Sequence, residues 1–193
     1  MSKGEATRET ILDAAGELVR TVGFAGMSIG TLATSTRLSK SGLYAHFKSK
    51  ETLQLEVLEH AKARFLHEVV IPAVAAPRGE PRVRAMFENK LRWNSQPGGC
   101  IFVAAASELD DQPGPARDRV VRDQRDWLDS LAQVFGTGIT EGHFRADADP
   151  EQLAFELDGV MLSYHHCKRL LGDGTAESRA RTAFESLLAR ARA

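Results

Sequence analysis

The sequence is short of the residues that most alternative architectures need. It holds two cysteines, Cys100 and Cys167, too few for a disulfide framework, and they read as reduced, buried thiols. No apolar run approaches the roughly 18 residues that suggest a membrane-spanning helix. The opening MSKGEATRET lacks the apolar core of a signal peptide. Both absences point to a cytoplasmic protein. Net charge is only -1 at pH 7, which excludes a generally basic nucleic-acid binder and confines any DNA contact to a local patch. Strand-type alternation of apolar and polar residues is absent. There is no Gly-rich phosphate loop, no Gly-x-Ser-x-Gly elbow, and no His-x-x-x-His or Cys-x-x-Cys spacing. The expectation is therefore no enzyme, no cofactor and no metal.

What is there is helical. Apolar residues make up 42% of the 193 residues, enough to close a sizeable core, and they recur at three- and four-residue steps. Ile11, Leu12, Ala15, Leu18, Val19 and Val22 form one stripe, ended by Gly23. Ile29, Leu32 and Ala33 mark a short second helix, and Leu43 and Phe47 a third from Ser39 to His46, with Ser39 as its cap. Thr36, Arg37 and Leu38 alone separate the two, which fits a helix-turn-helix. A fourth helix, capped by Ser49, is expected to run to Ile71 and stop at Pro72.

Five more stripes follow. Val83, Met86, Phe87 and Leu91 come after Pro81. The run CIFVAAASEL at 100–109 is expected to be buried on all sides. Val120, Leu131, Val134 and Phe135 lie behind a charged face read as solvated and salt-paired. Leu153, Leu157, Val160, Met161 and Tyr164 follow the capping run Asp149-Pro150-Glu151-Gln152. Ala180, Phe184, Leu187 and Leu188 close the chain. The expected fold is all-α with about nine helices. A three-helix head with the helix-turn-helix occupies residues 1–48, and a larger helical body for effector binding and dimerisation occupies 49–193. The helix of about 49–71 joins them.

Charge singles out Met27–Lys50. It carries Arg37, Lys40, Lys48 and Lys50, many Ser and Thr hydroxyls, and no Asp or Glu. Phosphates attract cations and hydroxyl donors and repel carboxylates. The stretch LSKSGLYAHFKSKE, Leu38–Glu51, resembles the recognition-helix signature of the tetracycline-repressor-like (TetR/AcrR) family of bacterial transcription regulators. The order Leu-Tyr, one variable residue, His-Phe, then Lys-x-Lys-Glu carries the resemblance. Two positions depart from the family's habit. Arg37 stands where the turn often has glycine, and Gly42 where Ser, Thr or Ala is commoner.

The resemblance implies a sequence-specific regulator, most often a repressor released from a palindromic operator by a small-molecule effector. The DNA-binding candidates are Ser28, Thr31, Arg37, Ser39, Lys40, Ser41, Gly42, Tyr44, Ala45, His46 and Lys50. Lys40, Ser41 and Ala45 suit base edges; Tyr44, His46, Lys50 and the hydroxyls suit the phosphate backbone. Candidate walls of an effector pocket are Phe65, Phe87, Trp93, Phe102, Trp127, Tyr164 and His165, although helical spacing alone reads most of these as core. Leu157, Val160, Met161, Phe184, Leu187 and Leu188 are expected at a four-helix homodimer interface.

Rival readings stay open. A ligand-independent DNA-binding or architectural protein needs no pocket. An enzyme would have to use carboxylate pairs such as Asp110/Asp111, which helix capping explains. A metal sensor would use His165, His166 or Cys167 with His143, Glu108 or Asp110, but adjacent helical residues point about 100° apart. The expected partners are a double-stranded DNA operator, a small-molecule effector and a second copy of the chain, with no membrane.

Overall fold

The computed structural model describes the backbone of residues 3–36 and 38–193, with side chains from residue 7 onward. The candidate Arg37 lies outside the described residues. The apolar stripes become helices where they are expected: α1 (Lys3–Gly26), α2 (Ile29–Thr36), α3 (Lys40–His46), α4 (Lys50–Phe65), a π segment (Leu66–Val70), α5 (Ile71–Val74), α6 (Glu80–Asn94), α7 (Ile101–Leu109), α8 (Pro115–Thr140), α9 (Pro150–Arg169) and α10 (Ala176–Ala191). Counting α4, the π segment and α5 as a single entry in chain order gives the expected all-α layout. Among the described residues the β pairing is a single isolated bridge, Phe144 to Arg192. The chain divides into two units, residues 1–64 with 100–123 and residues 65–99 with 124–193.

In the first unit, α1, α2 and α3 enclose Ile11, Val19, Phe24, Met27, Leu32, Leu43 and Phe47. The helix α1 breaks at Gly23, whose φ of 75° favours glycine. Glu108 of α7 presses on that break, where a Cβ would come 2.3 Å from its Oε1. The same carboxylate accepts from the Ala25 amide at 2.9 Å. Glu108, a metal candidate from sequence, thus serves as a cap. The helix α7 is not buried on all sides as expected. Ile101, Phe102, Ala105 and Leu109 are buried, while Val103, Ala104 and Ala106 are half-buried and Ser107 is exposed. Short alanine side chains carry little apolar area, so leaving them half open costs little.

The charged start of α8 is not wholly solvated either. Asp123 is buried and accepts from Lys62 Nζ at 2.8 Å and Arg119 Nε at 2.9 Å. Arg119 also pairs with Glu59, so two residues of α4 clasp two of α8. The hydrogen bond from Arg119 is the main reason the Glu59 carboxyl is held below its ordinary range.

In the second unit the fourth helix does not stop at Ile71. The turn widens first, the Ile71 amide bonding the Leu66 carbonyl. Pro72 then sits in the first turn of α5, where a missing N–H leaves no helical bond unmade. Asn89 Nδ2 donates to the Val69 carbonyl at 2.9 Å and holds the widened turn. Phe87 stacks on Phe184 with ring centroids 4.0 Å apart, joining α6 to α10. Asp149 caps α9 as expected, accepting from the Glu151 amide at 2.9 Å and the Gln152 amide at 3.3 Å.

Among the dimer-interface candidates, Val160 and Leu187 line a groove between α9 and α10. Leu157, Met161, Phe184, Leu187 and Leu188 are buried within the protomer, and Val160 alone is half-buried. A dominant 3-4 apolar stripe faces its own chain's core first. The outward surface of α9 instead shows Phe155 and Leu162, 70% and 44% exposed.

Candidate nucleic-acid interface

The head is built around two short, well-capped helices. At the start of α2 the Thr31 amide donates to Ser28 Oγ at 3.1 Å, and the Ser28 amide to Thr31 Oγ1 at 2.8 Å. This reciprocal cap satisfies amides that a helix start otherwise leaves open. At the start of α3 the Gly42 amide donates to Ser39 Oγ at 3.0 Å. A Cβ at position 42 would stand 3.2 Å from that same oxygen, so glycine leaves room for the cap.

Leu43 and Phe47 are fully buried, four residues apart. They turn the other side of α3 outward, where Lys40, Ser41, Tyr44 and Ala45 are exposed, Tyr44 to 56%. The spacing i, i+1, i+4, i+5 places these four on one face. That face offers an ammonium, two hydroxyls and a methyl, and it carries no acid.

The other described candidates are engaged in the head's own structure. The hydroxyls of Ser28, Thr31 and Ser39 take part in the caps. Lys50 Nζ donates to the Ala25 carbonyl at 3.1 Å. His46 is half-buried beside Phe47, with ring centroids 6.2 Å apart. The arginines of the first helix read from sequence as solvated charges or DNA-backbone contacts, and Arg8 is not among the candidates above. Its Nη1 donates to the His46 carbonyl at 3.2 Å, its other arm pairs with Glu56 of α4, and its guanidinium lies 5.1 Å from the Phe47 ring centre. The available signal was its place three and four residues before Ile11 and Leu12, on the buried side of α1.

Within the second unit the aromatic candidates divide. Phe65 meets Trp93 and Trp127 edge-on, at 5.3 and 5.2 Å. Lys90 Nζ lies 4.9 Å from the Phe65 ring centre and 5.3 Å from that of Trp127. Trp127 Nε1 donates to Asp158 Oδ1 at 2.9 Å. His165 is buried, and burial is the main cause that lowers its pKa, with the charges of Arg169 and Lys90 adding. Phe87 belongs instead to the stack with Phe184, and Phe102 is buried in the first unit. Tyr164 lines a groove of about 620 Å³ between α9 and α10. Lys90 and Asn94 were missed, although they continue the α6 stripe of Val83, Met86 and Phe87 at three- and four-residue steps.

A short turn, a capped α3 and an outward face free of acid define a helix-turn-helix transcriptional regulator. Residues 11–57 match the model of bacterial regulatory proteins of the tetR family, and residues 79–184 match the tetracyclin repressor-like C-terminal domain. The chain belongs to the TetR family and is a DNA-binding regulator of transcription. It is similar to the HTH-type transcriptional repressor NemR of Escherichia coli K12, at 26% identity over 161 residues, 81% of this chain and 80% of NemR. A TetR transcriptional regulator from Chloroflexus aurantiacus shares the fold with a TM-score of 0.86 at 27% identity, over 98% of this chain and 96% of that one. AibR, solved with isovaleryl coenzyme A and operator DNA, shares it with a TM-score of 0.75 at 23% identity, over 94% and 98%. Among the described residues no helix is long and apolar enough to cross a membrane.

Proposed function

We propose that the protein is a cytoplasmic repressor that binds an imperfect palindromic operator as a homodimer and leaves it when a small molecule binds the body. Residues 1–48 read DNA; residues 49–193 bind the effector and the second copy. The observation that carries this reading is the outward face of α3, with Lys40, Ser41, Tyr44 and Ala45 presented together. Lys40 donates to guanine O6 or N7, and the Ala45 methyl touches a thymine methyl. One short helix reads too few base pairs to select a genomic site, whereas two heads on half-sites about 34–36 Å apart read enough.

Dimerisation is supported by the α9–α10 groove, whose lining includes the small residues Gly159, Ser163, Ala183 and Ser186, which admit a close helix approach. Effector control is supported by the aromatic cluster of Phe65, Trp93 and Trp127, and by AibR, which was crystallised with both an acyl thioester and its operator. Release follows if the effector prefers the state whose heads do not fit the operator. A preference of about 1–3 kcal/mol weakens DNA binding by the reciprocal factor.

The test is a fluorescence-anisotropy titration against the DNA upstream of the protein's own gene, at several salt concentrations and with non-specific competitor. Tight, competitor-resistant binding with a steep salt slope supports the reading. Absence of salt-dependent binding to any duplex sinks it.

A further inference from the structure

After the break at Gly23 a new turn begins, with the Met27 amide donating to the Gly23 carbonyl at 3.2 Å. The first amides of such a turn have no acceptor within it. Ala25 finds its acceptor on another helix: its amide donates to Glu108 Oε2 of α7 at 2.9 Å. The half-buried carboxylate lies over the bare Cα of Gly23, where a Cβ would overlap both of its oxygens. The carbonyl of the same Ala25 accepts from Lys50 Nζ, at the first residue of α4, at 3.1 Å. The next carbonyl, that of Gly26, accepts from Thr31 Oγ1 at 3.3 Å. Thr31 in turn caps α2 together with Ser28. A line of hydrogen bonds thus runs from α7 through the α1–α2 corner to the first helix of the helix-turn-helix.

We propose that Glu108 is a positioning residue for operator binding: it holds the α1–α2 corner, and with it α2 and α3, in one register on α7. The role rests on the reading of the protein as a two-headed operator binder. The helix α7 is suited to it. Its residues fall in the stretch 79–184 that matches the C-terminal domain, yet residues 100–123 form one unit with residues 1–64. The buried Ile101, Phe102, Ala105 and Leu109 hold α7 by apolar contact, which is non-directional. A hydrogen bond to one chosen amide is directional, and a carboxylate acceptor strengthens it. Without Glu108 the corner is held by Lys50 and Thr31 alone, and each head can pivot on α7. A pivoting head still reads its own half-site, because Lys40, Ser41, Tyr44 and Ala45 keep their places on α3. Two pivoting heads lose the fixed spacing that a palindrome demands.

The experiment is fluorescence anisotropy of the full-length protein on three duplexes. They are the palindrome that the wild type selects from a randomised library, a single half-site of it, and the palindrome lengthened by one base pair at its centre. The insertion turns one half-site by about a tenth of a helical turn. Glu108→Ala is expected to bind the half-site within about twofold of wild type and the palindrome about tenfold more weakly. It should also discriminate less between the palindrome and its lengthened form. Glu108→Gln keeps an oxygen for the Ala25 amide and should stay within about threefold of wild type on every duplex. Glu108→Asp keeps the charge but is one methylene shorter, so it should behave like Glu108→Ala, and it carries the test if the alanine variant fails to fold. Unchanged palindrome affinity and unchanged spacing preference in the Ala and Asp variants overturn the proposal. So does an equal loss on half-site and palindrome, which makes Glu108 a support of the head's fold alone. So does a glutamine variant as weak as the alanine one. If the wild type binds the palindrome no better than the half-site, the two-headed reading falls and the proposal with it. If the wild type prefers the palindrome and the variants match it, the proposal alone falls.

Discussion

The guanidinium of Arg8 donates to the backbone carbonyl of His46 at 3.2 Å, across 38 residues of sequence. That carbonyl is one of the last in α3, and a helix end leaves such groups without intrahelical donors. The same guanidinium lies over Phe47 and pairs with Glu56. Arg8 therefore fixes how α3 sits on α1 and α4 without itself lying on the reading face. Arg8→Met keeps the stem and removes both polar arms. It is expected to lower stability by about 1 kcal/mol and to weaken operator and scrambled DNA by the same factor. A change in the preferred sequence would instead make Arg8 a reader of bases.

Lys40 and Lys50 should separate specificity from affinity. Lys40 is exposed on the outward face of α3, whereas Lys50 Nζ is tied to the Ala25 carbonyl at 3.1 Å. Lys40→Ala is expected to alter which base is preferred at one position of each half-site, by about 1–3 kcal/mol. Lys50→Ala should weaken all duplexes alike by loosening the head and removing a cation near the phosphates, with a smaller salt slope as its signature. Binding to a randomised half-site library distinguishes the two. Identical sequence preferences for both variants and the wild type would refute the division.

Much of this was legible in the sequence. The period of Ile11 to Val22, the caps at Ser39 and Asp149, and the acid-free run through Lys40 and Tyr44 each encode a local rule, and local rules survive folding. What was not legible depends on partners distant in sequence. Arg8 and His46 meet only in space, as do Glu108 and Ala25, or Lys62 and Asp123. Pro72 read as a stop because sequence patterns do not announce a widened turn. The stripe of Leu157, Met161, Phe184 and Leu188 read as an interface because periodicity finds an apolar face without saying which surface covers it. Lys90 and Asn94 were passed over because a scan for apolar residues skips polar ones on the same stripe.

Acid should loosen the second unit through Glu80. Its carboxylate accepts from Arg192 Nε at 2.8 Å and Nη2 at 2.7 Å and from Arg84 Nε at 2.8 Å. Those bonds, led by Arg192, lower its pKa from 4.5 to about 2. A lowered carboxyl pKa adds stability above the unfolded value and loses it as pH falls through the folded one. The stabilisation is therefore full above about pH 5 and declines between pH 4.5 and about 2. Solvent screening keeps it to about 1 kcal/mol. Glu80→Gln should be less stable than wild type at pH 7 in urea, and the two curves should converge near pH 2. Parallel curves over the whole range would show that the ion cluster contributes nothing.

The α9–α10 groove should decide the oligomeric state. Its lining residues Gly159, Ser163, Ala183 and Ser186 are small, and Arg179 and Arg190 also line it. In a two-fold dimer each surface meets its own copy, so an added cation faces like charge across the axis as well as within the groove. Ala183 is exposed in the protomer, so Ala183→Arg leaves the core untouched. The variant is expected to sediment as a folded monomer with an unchanged circular-dichroism spectrum. Its affinity for a full operator should drop to that for a single half-site, because the second head no longer binds at high effective concentration. A variant that stays dimeric and keeps full operator affinity would move the interface away from this groove.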